Sequence, residues 1–477
     1  MKGLRHLAAA ALLLFGLATA ACAGGAGGTA AVVPAAPDPT AVLDDLEHRT
    51  FQWFWDTPNP ANGLVPDRAP SPSFSSIAAV GFALTAYPVG VERGWVTRAD
   101  ARARTQATLR FFHDAPQGPD ATGMSGYHGF FYHFLDMSTG QRYRNTELST
   151  IDTALLMAGV LAAADYFNGP DPAETEIRTL AAELYQRVDW AWAADASGRV
   201  AMGWTPEAGL YPATWRGYNE AMILYVLGLG SPTHPLPDGA WTAWTTTYDA
   251  TWKTEYGQTY LSFPPLFGHQ YSHVWVDFRG IQDAYMKAKG SDYFQNSRAA
   301  TYAQQSYAIA NPWGWKEYGS AVFGVTASDG PGYLVATYNG QSRTFLGYAG
   351  RGMGGPSTYD DGTIAPTGVA SSIAFAPEIV VPAILEMKRR YGANLYSTYG
   401  FLDAFNPSYP GTTPAAGHVV AGLGWFDTDY LGIDQGPIVA MLENYRSDLV
   451  WKLMRADPVI RTGLTRAGFT GGWLGSP

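Results

Sequence analysis

Apolar residues return at a spacing near 3.6 in roughly a dozen segments of this chain, and that period commits most of it to helices. The segments lie at 41–56, 75–89, 98–114, 149–167, 173–193, 218–229, 238–253, 276–289, 292–309, 368–390, 396–405 and 435–455. Two of them, 149–167 (STIDTALLMAGVLAAADYF) and 218–229, are apolar nearly all round, as a helix buried on every side must be. Segments 98–114 and 173–193 carry Arg, Glu and Gln along one side, as helices facing water do. Buried and amphipathic types alternate. That alternation predicts an all-α fold, an (α/α)6 toroid in which an inner ring of helices is wrapped by an outer one. An irregular α-solenoid satisfies the same count.

No linker interrupts the pattern, so residues 41–477 read as one catalytic-sized domain with long Gly, Pro and aromatic loops, 311–366 above all. Ahead of it, Lys2, Arg5 and His6 precede an apolar stretch too short to span a bilayer, the layout of a signal peptide over 1–21. It ends in Thr19-Ala20-Ala21-Cys22, similar to a bacterial lipoprotein cleavage site except that Thr19 stands where Leu is usual. Cys22 is the sole cysteine among 477 residues, which makes it the expected lipid acceptor and leaves no internal disulfide. Residues 22–40, rich in Gly, Ala and Pro, read as a flexible tether. The expectation is an exported protein, periplasmic or anchored to the outer membrane, and monomeric.

A net charge of −10 with only 15% charged residues and no basic run argues against nucleic acid as a partner. Aromatic residues make up 14% of the chain. Most must serve the core, but that supply also suits a neutral, polyhydroxylated ligand whose sugar faces stack on rings. No nucleotide fingerprint, phosphate loop or G-x-S-x-G elbow is present, and GRGMGG (350–355) follows no clear strand and opens no helix.

Isolated carboxylates sit in aromatic, glycine-rich turns that lead into these apolar runs. Tyr218-Asn219-Glu220 precedes AMILYVLGL, and Trp425-Phe426-Asp427 through Asp434-Gln435-Gly436-Pro437 precedes IVAML. FQWFWD (51–56), RNTELSTIDTALLMAG (144–159), WRGYNEAMILYVLGLGSPTHPL (215–236), FGHQYSHVWVDFRG (267–280), YDDGTIAPTGVASSIAFAPE (359–378) and DYLGIDQGPIVAMLENYRS (429–447) are spread over almost the whole mature chain. Through these stretches the chain resembles the bacterial glucoamylase-like family whose characterised members include endo-β-1,2-glucanases (glycoside hydrolase family 144). The resemblance implies the (α/α)6 fold, inversion at the anomeric carbon, a glucan substrate and no obligatory metal or cofactor.

Inverting hydrolysis needs an acid for the leaving oxygen and a base for water on the opposite face, with carboxyls about 6.5–9.5 Å apart. Glu220 is the candidate acid, because Trp215, Tyr218 and Asn219 would partly bury it and keep it protonated. The helix start it occupies opposes that shift, and Asn219 as a plain cap with Glu220 complementing the dipole is the competing account. Asp434 is the candidate base, although Asp ahead of a helix with Pro in its first turn is also an ordinary N-cap. Asp427 and Asp429 in WFDTDY compete for the role.

Glu147 and Asp152 form a third group, expected to bind hydroxyls or hold the attacking water, while Ser149-x-x-Asp152 also has capping-box spacing. His269, His273 and Asp277 have the spacing of a helical metal site, but Pro, Gly and rings around them disfavour a helix before Val274, so hydroxyl recognition or packing is expected. DTDYLGID (427–434) is as oxygen-rich as a calcium loop yet lacks its regular spacing and distal Glu, so no metal is assigned. His128, Phe130, Trp275, Tyr359 and Arg68 are further candidates for the sugar-binding surface, with Trp53, Trp55, Trp204 and Arg351 behind them. An exo-acting enzyme, a hydrolase of another glucan, or a surface glycan-binding lipoprotein without catalysis satisfies the same composition.

Overall fold

The computed structural model describes residues 38–475, which form one compact unit. The leader, Cys22 and nearly all of the tether lie outside the described residues. Helix α1 (Pro39–Asp56) opens the unit, capped by Asp38 and started by Pro39. It is followed by α2 (Ile77–Glu92), α3 (Arg98–Asp114), α4 (Thr150–Tyr166), α5 (Pro172–Gln186) and α6 (Met222–Gly230). The later long helices are α7 (Tyr293–Ala310), α8 (Pro377–Tyr391), α9 (Gly432–Ser447), α10 (Leu449–Ala456) and α11 (Pro458–Arg466). Among the described residues no helix is long and apolar enough to cross a membrane.

Helices account for 46% of the residues. The buried ones touch in a cycle: α2 packs on α4, α4 on α6, α6 on the short Tyr271–Trp275 helix, that helix on α9, and α9 back on α2. The α2–α4 contact is the closest of these. A Cβ at Gly159 would lie 2.0 Å from the carbonyl oxygen of Gly81, so two glycines let the backbones meet where any side chain would hold them apart. Outside the cycle, α3 lies along α5, tied by Arg98–Glu174 at 2.7 Å and Arg110–Glu176.

The structure is not purely helical. Short antiparallel ladders of two or three strands precede the buried helices: Arg68–Ala69 pairs with Tyr430–Leu431, Ser75–Ser76 with Phe134–Leu135, and Leu148–Ser149 with Gly203–Thr205. Segment 396–405 is not a helix, as its spacing predicted, but a hairpin pairing Tyr396 with Phe401 and Ser397 with Gly400. Gly400, paired with Ser397 directly after the Thr398–Tyr399 turn, takes a φ of +92, which glycine allows and a helix forbids. Segment 238–253 breaks into single turns, 173–193 ends at Gln186, and the 276–289 pattern is helical only over Ala284–Lys289. GRGMGG does follow a strand, because Ala349–Gly350 pairs with Ala327–Ser328. These ladders hold the residues entering each buried helix, and the acids are found there.

Candidate active site

Glu220 lies two residues ahead of α6, in a turn that Asn219 closes by accepting the Ala221 N–H at 2.9 Å. Ser272 fixes the same turn, donating to the Glu220 carbonyl at 2.8 Å and accepting from Ile223 N–H at 3.0 Å. The Glu220 side chain is half-buried, and its Oε2 has no protein partner. Burial pushes its carboxyl up to about 7; its own N–H opposes the rise and the charge of Asp152 adds to it.

Asp152 sits in the first turn of α4, where Ser149 caps the helix by accepting the Asp152 N–H at 3.2 Å and donates to Asp152 Oδ2 at 2.5 Å. His133 joins the two carboxylates of this wall, with Nδ1 2.9 Å from Glu147 and Nε2 3.5 Å from Asp152. Burial disfavours an imidazolium there, but Asp152, Glu147 and Asp67 outweigh it and raise the ring to about 9. His133 therefore carries charge at neutral pH. In return its bond holds Glu147 below the usual carboxylate range against a burial effect of opposite sign.

The second wall is a cluster of aspartates at the start of α9. Asp434 is buried in its first turn. Burial pushes its carboxyl up, while a hydrogen bond from Asp403 supports its ionised form and Asp329 and Asp67 oppose it. Asp403 is pushed up by burial and by Asp434 and Asp329, and Asp427 by burial and by Asp403 and Asp329, against which the N–H groups of Thr428 at 2.7 Å and Asp429 at 3.3 Å act only in part. Arg68 answers part of this charge, ion-paired to Asp329 and, at 3.2 Å, to Asp67. Asp429 accepts from Ser71 N–H at 2.9 Å and ties down the loop carrying Arg68.

Tyr271 joins the two walls, and Tyr348 borders the second. The buried Tyr271 hydroxyl is within electrostatic reach of Asp434 on one side and of Glu220 and Asp152 on the other. Tyr348 leaves 56% of its surface exposed, yet its hydroxyl feels Asp434, Asp403, Asp67 and Asp329. Tyr348 therefore stands at the solvent edge of this group of buried carboxyls. The N-termini of α4, α6 and α9 deliver Asp152, Glu220 and Asp434 to this cluster, so helix dipoles partly offset what burial costs the carboxylates.

The glucoamylase-like family whose description reads "putative glucoamylase" matches residues 212–458, more than half of the chain and the span that includes Glu220, Asp403, Asp427 and Asp434. The chain belongs to this family. It is thus a glycoside hydrolase. A solved family structure, a putative glucoamylase from Bacteroides uniformis, is 31% identical, superposes with a TM-score of 0.77, and is matched over 92% of this chain and 99% of its own. An endo-β-1,2-glucanase from Chitinophaga pinensis, solved with sophorotriose and glucose, is 26% identical with a TM-score of 0.78, over 92% of this chain and 100% of its own. An exo β-1,2-glucooligosaccharide sophorohydrolase from Parabacteroides distasonis is 27% identical over 89% of this chain, which spans only 57% of that relative.

The fold brings Glu220, Asp152, Glu147, Asp434, Asp427 and Arg68 into one network of interacting charges. Other sequence candidates lie elsewhere. His269 is buried, bonded through Nδ1 to the Tyr218 hydroxyl at 3.1 Å and through Nε2 to the Phe263 carbonyl at 3.1 Å, and burial drops it to about 3. His273, 0% exposed, meets Ser297 at 3.0 Å and is likewise depressed to about 3, so both rings are neutral packing elements rather than hydroxyl readers. Trp275 donates to Thr85 at 2.9 Å and stacks on Phe82; Trp215 donates to Thr150 at 3.0 Å; Tyr218, Asn219, Phe130, Trp53 and Trp204 are buried. Arg351 is spent on Asp361 at 2.8 Å. His128 stacks on Trp192 in a separate recess with Arg187, Asp189 and His234, and the exposed Tyr359 borders another with Trp315 and Arg343.

Asp434 is not the N-cap that its sequence allows, since α9 begins at Gly432 and Leu431 precedes it. The sequence reading passed over His133, Asp67, Asp329, Asp403, Tyr271 and Tyr348. Each stands alone in its local sequence.

Proposed function

We propose that this protein hydrolyses β-1,2-glucan within the chain by single displacement with inversion, in a cleft at one end of an (α/α)6 toroid. Glu220 is the general acid, and Asp434 is the base that takes the proton of the attacking water. The observation that carries the reading is Glu220 itself: a partly buried carboxyl raised to about 7, held with Asp434 of the aspartate cluster around the Tyr271 hydroxyl. A proton held near neutral pH is what an acid for a poor alkoxide leaving group requires.

Asp434 is buried, so it reaches the water through a relay, and the donor bond from Asp403 keeps it the ionised member of that pair. Glu147, Asp152 and the charged His133 bind hydroxyls on the Glu220 side. The C. pinensis neighbour is named for endo cleavage of β-1,2-glucan and the P. distasonis relative for releasing sophorose, and both names support the same linkage here. The leader supports export and anchoring through Cys22, for which mass spectrometry of the detergent-extracted N-terminal peptide is the check.

Reducing-sugar release from linear β-1,2-glucan, against laminarin, cellulose and starch, tests the substrate. Release from β-1,2-glucan alone is expected, with α-configured new ends by NMR and products of many sizes early. Disaccharide from the first minutes would assign exo action instead, and binding without release would make the protein a glycan-capture lipoprotein. One observation favours a second base: Asp152 is the carboxylate whose charge reaches Glu220. Asp152→Asn and Asp434→Asn, compared at saturating substrate, separate the two, because the base variant loses kcat.

A further inference from the structure

Four of the nine large apolar or aromatic side chains left open to water among the described residues lie between positions 333 and 359: Tyr333 at 77% exposure, Tyr359 at 59%, and with them Val335 and Tyr348. Exposed rings in such number point to an interaction site. Trp315, Arg343, Leu346, Tyr359 and Asp360 line a recess of about 290 Å³ at the hairpin that pairs Leu334–Tyr338 with Gln341–Phe345. Arg343 lies over the Trp313 and Trp315 rings, 5.2 and 5.6 Å from their centroids, yet its guanidinium makes no ion pair or hydrogen bond among the described residues. Asp360 is not free to answer it. Its oxygens accept from the Tyr307 hydroxyl, from the Tyr318 hydroxyl at 2.8 Å and from Gly362 N–H at 3.1 Å. Tyr359 holds a φ of +59, a backbone that costs any residue with a Cβ.

Hydrogen bonds tie this recess to the acid cluster. Leu346 N–H donates to Asp361 at 3.0 Å, Arg351 donates to Asp361 at 2.8 Å, and Arg351 also donates to the Asp329 carbonyl at 3.2 Å. Tyr348, at the edge of the buried carboxyls, follows Leu346 by two residues and Arg343 by five, so the Cα atoms of Arg343 and Tyr348 stand at most about 18 Å apart. We propose that the recess is an accessory site for one glucosyl unit of a long glucan chain, away from the bond being cut, and that it gives the enzyme a preference for long substrates. The ligand rests on the glucanase reading above. A sugar ring offers an apolar face to the Tyr359 ring and hydroxyl oxygens to the Arg343 fork, whose stacking on two indoles fixes its direction before the ligand arrives. Asp360 sets one negative charge against that guanidinium, which suits a neutral polyol and not an anion. A volume at the low end of small-molecule sites admits one ring, not a folded chain. Holding a distant unit makes the encounter of the same chain with the acids intramolecular, so only chains that reach both places gain.

The test is the dependence of kcat/KM on substrate length for Arg343→Ala and Tyr359→Ala, measured on polymeric linear β-1,2-glucan and on the shortest oligosaccharide that the parent cleaves. Each variant should lose about 3- to 10-fold on the polymer, carried by KM, and less than about twofold on the short substrate. Unchanged kinetics on the polymer overturn the proposal, and so does an equal loss on both lengths, which a merely structural role would give. Arg343→Ala removes a side chain that packs on two indoles; should it fail to fold, Tyr359→Ala decides, because it removes only an exposed ring. If the parent cleaves one of the control glucans instead, the same two lengths are compared on that glucan, so an error of linkage is separated from an error about the recess. If it cleaves none, calorimetry of the parent and Tyr359→Ala with each polymer decides. Weaker binding by the variant supports the site, whereas equal binding, or none by the parent, overturns it.

Discussion

Replacing Glu220 by Gln should cost activity and add stability, and the two effects have one origin. The Glu220 carboxyl rises from 4.5 to about 7 on folding, so the native protein holds that proton more tightly than the unfolded chain between those pH values. Stability supplied by the group is complete below about pH 4.5 and is lost as pH climbs through about 7. The shift corresponds to about 3 kcal/mol at 1.36 kcal/mol per unit, an upper figure because the side chain is only partly enclosed. Gln keeps the shape and never ionises. Glu220→Gln should therefore match the parent in denaturant unfolding near pH 4.5 and exceed it by up to about 3 kcal/mol at pH 8. Over the same range kcat on β-1,2-glucan should fall about 10²- to 10⁴-fold, the usual worth of a general acid, while bound glucan remains detectable by calorimetry. In the parent, kcat/KM should decline as pH rises through about 7. A stability gap that does not widen between pH 4.5 and 8 would refute the claim that burial loads this carboxyl. A variant retaining a tenth of the parent rate would remove Glu220 from the acid role.

Three further outcomes follow from the same geometry. Asp434→Asn should lower kcat by a similar factor with little change in KM, measured by reducing-sugar release at saturating glucan. His133 is held near 9 by Glu147 and Asp152, so its contribution to stability is full below its unfolded value of about 6.5 and fades as pH passes about 9; His133→Gln should be less stable than the parent by up to about 3 kcal/mol at pH 6, less a discount for the 27% of the ring that stays exposed, and the gap should close by pH 10 in urea titrations. Gly159→Ala should separate α2 from α4, because the new methyl would lie 2.0 Å from the Gly81 carbonyl oxygen; a loss of about 1–3 kcal/mol, seen as a lower Tm, is expected.

The helices were legible because burial writes a period into sequence. A helix enclosed on all sides, such as Thr150–Tyr166, must be apolar at every turn, and an outer one such as Arg98–Asp114 keeps its arginines on one side. Residues 396–405 misled for the same reason: Tyr396, Phe401 and Phe405 are buried, but they reach the core from strands whose turn depends on a positive φ at Gly400. Apolar content was read correctly there and its geometry was not. Glu220 and Asp434 stood out because a lone acid before an apolar run is costly unless it has work to do.

Composition and pattern alone determined that this chain builds buried helices fed by acid-bearing turns, since apolar period and isolated charge are properties of the string. Which acids meet depended on closure of the helix cycle. Asp329, Asp403 and Asp427 share one point only because three loops far apart in the chain are bonded together there, and His133 finds Asp152 only because their ladders adjoin. His269 and His273 show the converse: spacing suited a ligand pair, while packing turned each ring towards a partner in the core. Burial and partnership are properties of the assembled volume, and no single stretch of the chain contains them.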